Sequence, residues 1–309
     1  MIKRRQIIVG SRGSRLAVLQ AGLVLQKLVR AFPDIEFSLS RITTTGDHDP
    51  ETPLEKIGGQ GVFVKELEQA LLQSQIDIAV HSLKDMPTEI APGLTLAAVP
   101  EREDARDVLI TASGLRLTEL PHGSRLGTGS VRRMVELLAQ RPDLDVCPLR
   151  GNVDTRLRKV MEGELDGAIM AAAALIRLGW QERIAEYLPV EQFLPAVGQG
   201  ALGIEIRAGD SEMAELVSHL DHQPSRASVL AERAFLQTLG GGCRAPIAAL
   251  GMVSERHLEL RGMVAGVSSL NFLRDLEKGP ISSAEEIGHR LAQRLLESGA
   301  AKLIAEARA

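Results

Sequence analysis

Hydrophobic and polar positions follow two periods along the first hundred residues, and each period predicts a different element. Short apolar runs with β-branched residues at 6–10, 36–42, 77–80 and 94–99 read as strands. Between them, Leu16, Leu19, Leu23 and Leu28 recur at helical spacing, and 62–72 carries a second helical stretch. Strands and helices in alternation predict βα units on a largely parallel sheet. Residues 46–61 follow neither period; Pro50, Pro53 and glycines at 58, 59 and 61 predict a mobile loop able to close as a lid.

The charged run Pro100-Glu101-Arg102-Glu103-Asp104-Ala105-Arg106 interrupts the pattern and marks a domain boundary. A second α/β unit is predicted beyond it: a strand at 108–111, a glycine-bounded turn and helix over 127–138, and a strand near Val146. A helix over 153–161, a strand over 167–170 and a helix ending at Gly179 follow. Pro195-Ala196-Val197-Gly198-Gln199-Gly200 reads as a hinge, and 201–207 as a strand returning to the first sheet. Two crossings between two α/β lobes predict a cleft between them. From 223 the pattern becomes a long helix ending at Gly240, strands over 247–253, 258–265 and 270–276, and a helix near 284–296. Gly266-Val267-Ser268-Ser269 signals antiparallel neighbours. The division expected is 1–100 with 200–218, then 105–195, then a small α+β domain over 222–309.

Composition narrows the classes. A chain of 309 residues with 44% apolar content is large enough for more than one core. The net charge of −4 excludes a broad basic surface for nucleic acid, and 3% aromatic residues are too few for base-stacking platforms. No apolar run approaches the roughly 18 residues of a membrane span. The basic start Met1-Ile2-Lys3-Arg4-Arg5 leads into a strand-like stretch instead of a signal-peptide core, which predicts a cytoplasmic protein. Cys147 and Cys243 lie far apart without metal-ligand spacing, so neither a disulfide scaffold nor a metal is expected.

Candidate chemistry gathers at element junctions. Arg12 follows the first strand in Gly10-Ser11-Arg12-Gly13-Ser14; Arg132 and Arg133 open a helix after Gly127-Thr128-Gly129-Ser130; Arg150 precedes Gly151-Asn152-Val153-Asp154-Thr155-Arg156. In α/β sheets, ligands bind beyond the carboxyl ends of strands, where helix N-termini add free N–H groups, and the arginine fork matches a carboxylate or phosphate. One such arginine ordinarily pairs with a nearby acid; several glycine-flanked ones predict a polyanion site. Neither segment has the order of a phosphate loop or a dinucleotide fingerprint, so no nucleotide is indicated. A strand running through His81 and Ser82 into Leu83-Lys84-Asp85-Met86-Pro87 puts Lys84 and Asp85 at the same edge as Arg12. Asp85, set among cations, suits stabilisation of a cation or uptake of a proton; His81 reads as a core or hydrogen-bonding histidine. In Gly240-Gly241-Gly242-Cys243-Arg244, three glycines keep the backbone clear of something near an accessible thiol, and Arg244 favours its thiolate. Cys147 sits in a strand context and reads as core.

With these residues in view, the chain resembles the hydroxymethylbilane synthases (porphobilinogen deaminases) along essentially its whole length. The resemblance rests on VGSRGSRLA, TTGD, FVKELEQALL, DIAVHSLKDMPTE, EREDARD, GTGSVRR, LRGNVDTR, LPAVGQGALGIE, AERAFL and GGCRAPI, in the family's order. It implies an α/β fold of two periplasmic-binding-protein-like (type II) lobes with a small C-terminal α+β domain, and a monomer. It also implies a dipyrromethane cofactor on Cys243, joined through a thioether, to which four porphobilinogen molecules are added with loss of ammonia before water releases 1-hydroxymethylbilane. The catalytic aspartate falls on Asp85. Cofactor-binding positions fall on Ser82, Lys84, Thr128, Ser130, Arg132, Arg133, Arg150 and Gly151. Substrate-binding positions fall on Arg12, Ser14, Phe63, Arg150, Arg156, Arg177 and Gln199. Three positions depart from the family's habit: Gln60 where lysine is common, Arg15 where proline is usual, and Gly241 where an acid is frequent. A non-catalytic binding module built on the same lobes is the competing class; Cys243 in its glycine loop is a feature that a pure binder does not need.

Overall fold

The computed structural model describes residues 6–42, 64–240 and 245–307. The loop expected over 46–61 with Gln60, Phe63, and Cys243 with Gly241, Gly242 and Arg244 lie outside them. In chain order the elements begin with β1 (Ile7–Arg12), α1 (Arg15–Ala31), β2 (Phe37–Ile42), α2 (Lys65–Leu72), β3 (Ile78–Ser82) and β4 (Leu94–Ala98). They continue as β5 (Asp107–Thr111), β6 (Arg125–Thr128), α3 (Val131–Gln140), β7 (Asp145–Pro148), α4 (Val153–Met161), β8 (Gly167–Ala171), α5 (Ala172–Leu178) and β9 (Glu186–Tyr187). Then come β10 (Leu202–Arg207), α6 (Ser211–Ser218), α7 (Gln223–Thr238), β11 (Ile247–Ser254), β12 (His257–Ala265), β13 (Phe272–Pro280), α8 (Ala284–Glu297) and α9 (Ala300–Glu306).

The chain divides into two compact units, Met1–Glu103 with Ala201–Arg226, and Asp104–Gly200 with Ala227–Ala309. The sheet of the first has the order β2-β1-β3-β10-β4, with β1 parallel to β2 and β3, and β10 antiparallel to β3 and β4. The larger sheet of the second has the order β7-β6-β8-β5-β9, with β6 parallel to β7 and β8, and β5 antiparallel to β8 and β9. Both orders run second, first, third, antiparallel strand, edge strand. This is the arrangement of a type II periplasmic-binding-protein lobe, as the resemblance implies, and it makes the fold class mixed α/β. The expected return of 201–207 to the first sheet is met by β10.

The strands of the first sheet are covered on both faces. Ile7, Val9 and Ile78 pack with Val24 and Leu28 of α1, while Ala79 packs with Leu67 and Leu71 of α2. The apolar stripe of α1 differs from the leucine spacing that predicted the helix. Its buried residues are Gln20, Ala21, Val24 and Leu28, and Leu23 is exposed. Ala21, small and without any solvent contact, allows the helix close approach to the sheet along that line. β1 runs two residues past its expected end because its parallel register with β2 continues to Arg12 opposite Ile42.

In the second unit, β11-β12-β13 form a separate antiparallel sheet whose core includes Phe235 of α7, Leu260 and Val264 of β12, Ile287 and Leu291 of α8 and Ile304 of α9. β13 begins two residues later than the pattern predicts. Glu306 of α9 accepts from the backbone N–H groups of Ser268 and Ser269 and from the Ser269 hydroxyl, and Leu270 is left-handed at φ 51°. A tertiary anchor thus lengthens what local sequence reads as a tight hairpin. Phe235 is wholly buried and fills the space that Gly262 leaves open on β12. Phe235→Ala is expected to cost about 3–5 kcal/mol; a urea midpoint equal to that of the unsubstituted protein would refute this account of the core.

Candidate functional site

Polar residues collect at the carboxyl edge of the first unit's sheet and of the second unit's larger sheet. In the first unit, β1 and β3 are parallel neighbours, so Arg12, at the end of β1, and the turn after β3 occupy the same edge. Ser14 caps α1, its Oγ accepting from the Ala17 N–H at 3.3 Å. β3 ends at Ser82 and passes into one turn of 3₁₀ helix, Leu83–Asp85. Leu83 is buried, Lys84 half-buried and Asp85 exposed. The turn is pinned from two sides: Leu83 N–H donates to Ala201 O at 3.0 Å, and Met86 N–H donates to Leu83 O at 3.2 Å.

Ser82 Oγ donates to Gln20 Oε1 at 3.1 Å, and Gln20 is itself almost wholly buried. Gln20 was not singled out by the sequence. A signal existed, since it stands four and eight residues before Val24 and Leu28 on the buried stripe. A glutamine on a leucine-rich helix nonetheless reads as a solvent position until packing turns it inward.

In the second unit, β6 and β7 are parallel with Thr128 opposite Pro148, so the loops that follow them are neighbours, joined by Leu149 N–H to Thr128 O at 3.1 Å. Each loop opens a helix, and both helix N-termini lie at this edge with their positive dipole ends. Thr128 Oγ1 accepts from Ser130 N–H at 3.2 Å, and Ser130 Oγ caps α3 by accepting from Arg133 N–H at 3.4 Å. Arg150 is half-buried, and Gly151 has φ 98°, a conformation open to glycine. Arg156 Nε donates to Gly151 O at 2.8 Å, so this arginine is drawn onto the loop. Arg177 of α5 donates to Gly200 O at 2.6 Å.

Arg132 and Arg133 are placed differently from the other arginines. Both side chains are buried, and the pairing with an acid that a single arginine predicts holds for each of them. Asp107, wholly buried at the start of β5, bridges Arg132 Nη1 at 2.8 Å and Arg133 Nη2 at 2.7 Å. Arg133 also donates to Ile169 O and Gln199 Oε1, and Gln199 Nε2 donates to Ala105 O at 2.7 Å and Asp107 Oδ1 at 2.9 Å. Arg132 Nη1 donates to Glu136 Oε2 at 2.7 Å and Leu194 O at 2.8 Å, while Glu136 Oε1 accepts from Leu194 N–H at 2.8 Å. Glu232 accepts from Gly198 N–H at 2.7 Å. The segment 195–200, expected to be a hinge, is mostly buried, with Gly198 bonded to Glu232 and Gln199 to Arg133 and Asp107. Burial alone would raise the Asp107 carboxyl, but the two guanidiniums outweigh it and hold the group well below the usual carboxylate range. Glu136 goes the other way: burial, with Asp107 adding to it and Arg132 opposing, raises it to about 7.

His81 is buried and hydrogen-bonded to Glu205, in keeping with a core histidine. Cys147, half-buried on β7, packs against the core that includes Leu149 and Val160. Among the described residues, no group of three or more His, Cys, Asp or Glu could hold a metal ion, and no helix is long and apolar enough to cross a membrane.

The family model described as porphobilinogen deaminase, dipyromethane cofactor binding domain, matches residues 7–215, and that described as porphobilinogen deaminase, C-terminal domain, matches 227–297. The chain is 51% identical over 306 residues to the porphobilinogen deaminase of Desulforudis audaxviator, covering 99% of each. It is 48% identical over 297 residues to that of Syntrophotalea carbinolica, covering 96% of this chain and 94% of the relative. It is 46% identical over 302 residues to that of Pelobacter propionicus, covering 98% and 97% respectively.

Glu136 makes a pH-dependent contribution to stability. Its folded value of about 7 lies above the ordinary 4.5, so the folded state holds the extra proton, and stability from this group falls as pH rises from about 4.5 to 7. Glu136→Gln removes that dependence. The variant's melting temperature is expected to gain on that of the unsubstituted protein across this interval and to hold a constant offset above it; a pH-independent offset throughout would show that Glu136 is ionised from the start. Arg133→Met, which strips Asp107 of one partner, is expected to lower stability by about 3–5 kcal/mol in chemical denaturation.

Proposed function

The chain belongs to the porphobilinogen deaminase family, and from that premise we propose that Asp85 acts at the reacting pyrroles while Cys243 anchors the cofactor. The activity is that of a hydroxymethylbilane synthase, a transferase of tetrapyrrole biosynthesis, and its cofactor is dipyrromethane. When bound, that cofactor supplies the primer onto which four porphobilinogen molecules are condensed head to tail with loss of ammonia, before water releases 1-hydroxymethylbilane. The observation that carries the residue assignment is the pinned turn Leu83–Asp85 at the carboxyl edge of β3, beside the end of β1 that carries Arg12.

The residues present suit such a group. Each pyrrole carries an acetate and a propionate, and the edge of the second unit offers hydroxyls, arginines and two helix N-termini, all of which favour carboxylates. In this reading Ser82 and Lys84 of the first unit and Thr128, Ser130, Arg150 and Gly151 of the second are the positions that favour cofactor carboxylates, while Arg132 and Arg133, buried against Asp107 and Glu136, contribute by fixing the start of α3 that carries Ser130. Arg12, Ser14, Phe63, Arg156, Arg177 and Gln199 serve the substrate side together with Arg150. Asp85, exposed on a fixed turn, stabilises the positive charge that spreads onto a ring N–H as ammonia departs, and it is available to take the proton released when the new carbon–carbon bond forms. A preorganised carboxylate does this without reorganising solvent at each addition.

The division into 1–100 with 200–218, 105–195 and 222–309 belongs to the same proposal, supported by one sheet for each segment. So does a cytoplasmic monomer whose partner is porphobilinogen and neither nucleic acid nor membrane, for which the net charge of −4 speaks.

Intact-protein mass spectrometry tests the anchor. The expected result is a dipyrromethane-sized adduct on the wild-type chain, absent from Cys243→Ser, followed by single pyrrole additions when porphobilinogen is supplied; an adduct that survives the substitution places the anchor elsewhere. Asp85→Ala is expected to keep the fold and the adduct but lose at least about a hundredfold in turnover; wild-type rates from that variant would remove Asp85 from the chemistry.

A further inference from the structure

The pair formed by His81 and Glu205 has no part in the chemistry above, yet it lies next to the residues that carry it. Glu205 is wholly buried in β10, and its Oε2 lies 3.1 Å from Nε2 of His81, itself nearly buried in β3. Its other oxygen, Oε1, is buried without a hydrogen-bond partner among the described residues. An acid held this way is costly, and a well-packed apolar pair would ordinarily be at least as stable.

Three observations connect the pair to the turn that bears Asp85. β10 lies against β3 in a register that sets Gly203 opposite His81 and Ala79 opposite Glu205, so all four residues share one face. A register shift between Ile204 and Glu205, where the β4 partner steps from Ala98 to Leu96, puts the extra residue of a bulge, Ala97, on β4 beside Glu205, while the register of β10 with β3 stays regular. Finally, Leu83 and Met86, which flank Lys84 and Asp85, press on Gly203, where an added Cβ would lie 3.0 Å from Leu83 Cδ1 and from Met86 Sδ. The turn that bears Asp85 thus rests on Gly203, the residue of β10 that pairs with His81. Glu68 of α2 faces the same cluster: burial first, and the Glu205 carboxylate next, push its carboxyl up, with His81 and Lys65 opposing.

We infer that Glu205 and His81 are positioning residues, which fix β3 against β10 and thereby hold the Leu83–Asp85 turn where Asp85 meets the reacting pyrroles. The inference rests on the reading of Asp85 given above. A directional polar contact suits the task, because a slip or twist of β3 leaves both groups unpaired, whereas apolar neighbours tolerate it. A misplacement of about 1 Å at a reacting group can cost about a hundredfold in rate.

The test uses cofactor-loaded enzyme, with loading confirmed by intact mass, and reads kcat, KM for porphobilinogen and thermal midpoint together. His81→Leu/Glu205→Leu removes both members of the buried pair together, so neither is left facing an absent partner. It is expected to load cofactor and melt near the wild-type temperature, to keep KM within about twofold, and to lose about tenfold or more in kcat. Glu205→Gln, which still offers an oxygen to His81, is expected to stay within about threefold of wild-type kcat. Wild-type kcat from the loaded double variant overturns the inference. Should that variant not load, the decision passes to His81→Gln, whose amide reaches Glu205 as Nε2 does, and His81→Asn, whose shorter amide does not. A lower kcat for the asparagine variant alone supports positioning, and equal kcat in the two overturns it. A wild-type chain without adduct or porphobilinogen turnover would instead defeat the functional reading itself.

Discussion

A carboxylate buried between two adjacent arginines is the constraint on which the second unit depends. Asp107 has no solvent contact and bridges Arg132 and Arg133. Three charges removed from water recover their hydration from one another, from Glu136 and Gln199, and from the backbone groups around them. The backbone groups belong to Ile169 and Leu194, and Gln199, itself held by Ala105 O, closes the ring. The start of α3, the entry to β5 and the segment over 194–200 are therefore one cross-linked body, because moving any of them unpairs a buried charge. Thr128 and Ser130 stand immediately ahead of that helix. Their geometry is only as rigid as the network behind them, and this network is rigid.

The first unit solves a similar problem with fewer charges. Its edge presents Arg12, Lys84 and Asp85 on a strand end and a single turn, and the turn gains its rigidity from apolar plugs, Leu83 and Met86, seated over Gly203. The buried polar contact between His81 and Glu205 adds directionality that apolar packing lacks. The two edges differ in what they present: the second offers hydroxyls, arginines and two helix N-termini, the first Arg12, Lys84 and the exposed carboxylate of Asp85.

Much of the fold was legible because burial imposes periods. Parallel strands covered on both faces leave apolar runs, and the helices between them leave a stripe, so order and class followed from spacing. The misreadings share a cause. Leu23 belongs to the leucine spacing of α1 but is exposed, and Gln20 is polar but buried, because the sheet beneath the helix selects the face and the small Ala21 decides the line of contact. β13 starts late because Glu306, more than thirty residues away in sequence, holds the hairpin loop.

The sequence by itself determined the family, the strand-helix alternation, the small antiparallel domain and the residue types assembled at strand ends, since these depend on local period and on ordered motifs. Only the tertiary structure decided which arginines turn inward. Arg132, Arg133, Arg150 and Arg156 look alike in their glycine-flanked segments, but Asp107 and Glu136 claim the first two, while Arg156 of α4 reaches back to Gly151 O in the loop that follows β7. A buried charge must find its partner in space, and the distance between Asp107 and Arg133 along the chain carries no trace of the 2.7 Å between them.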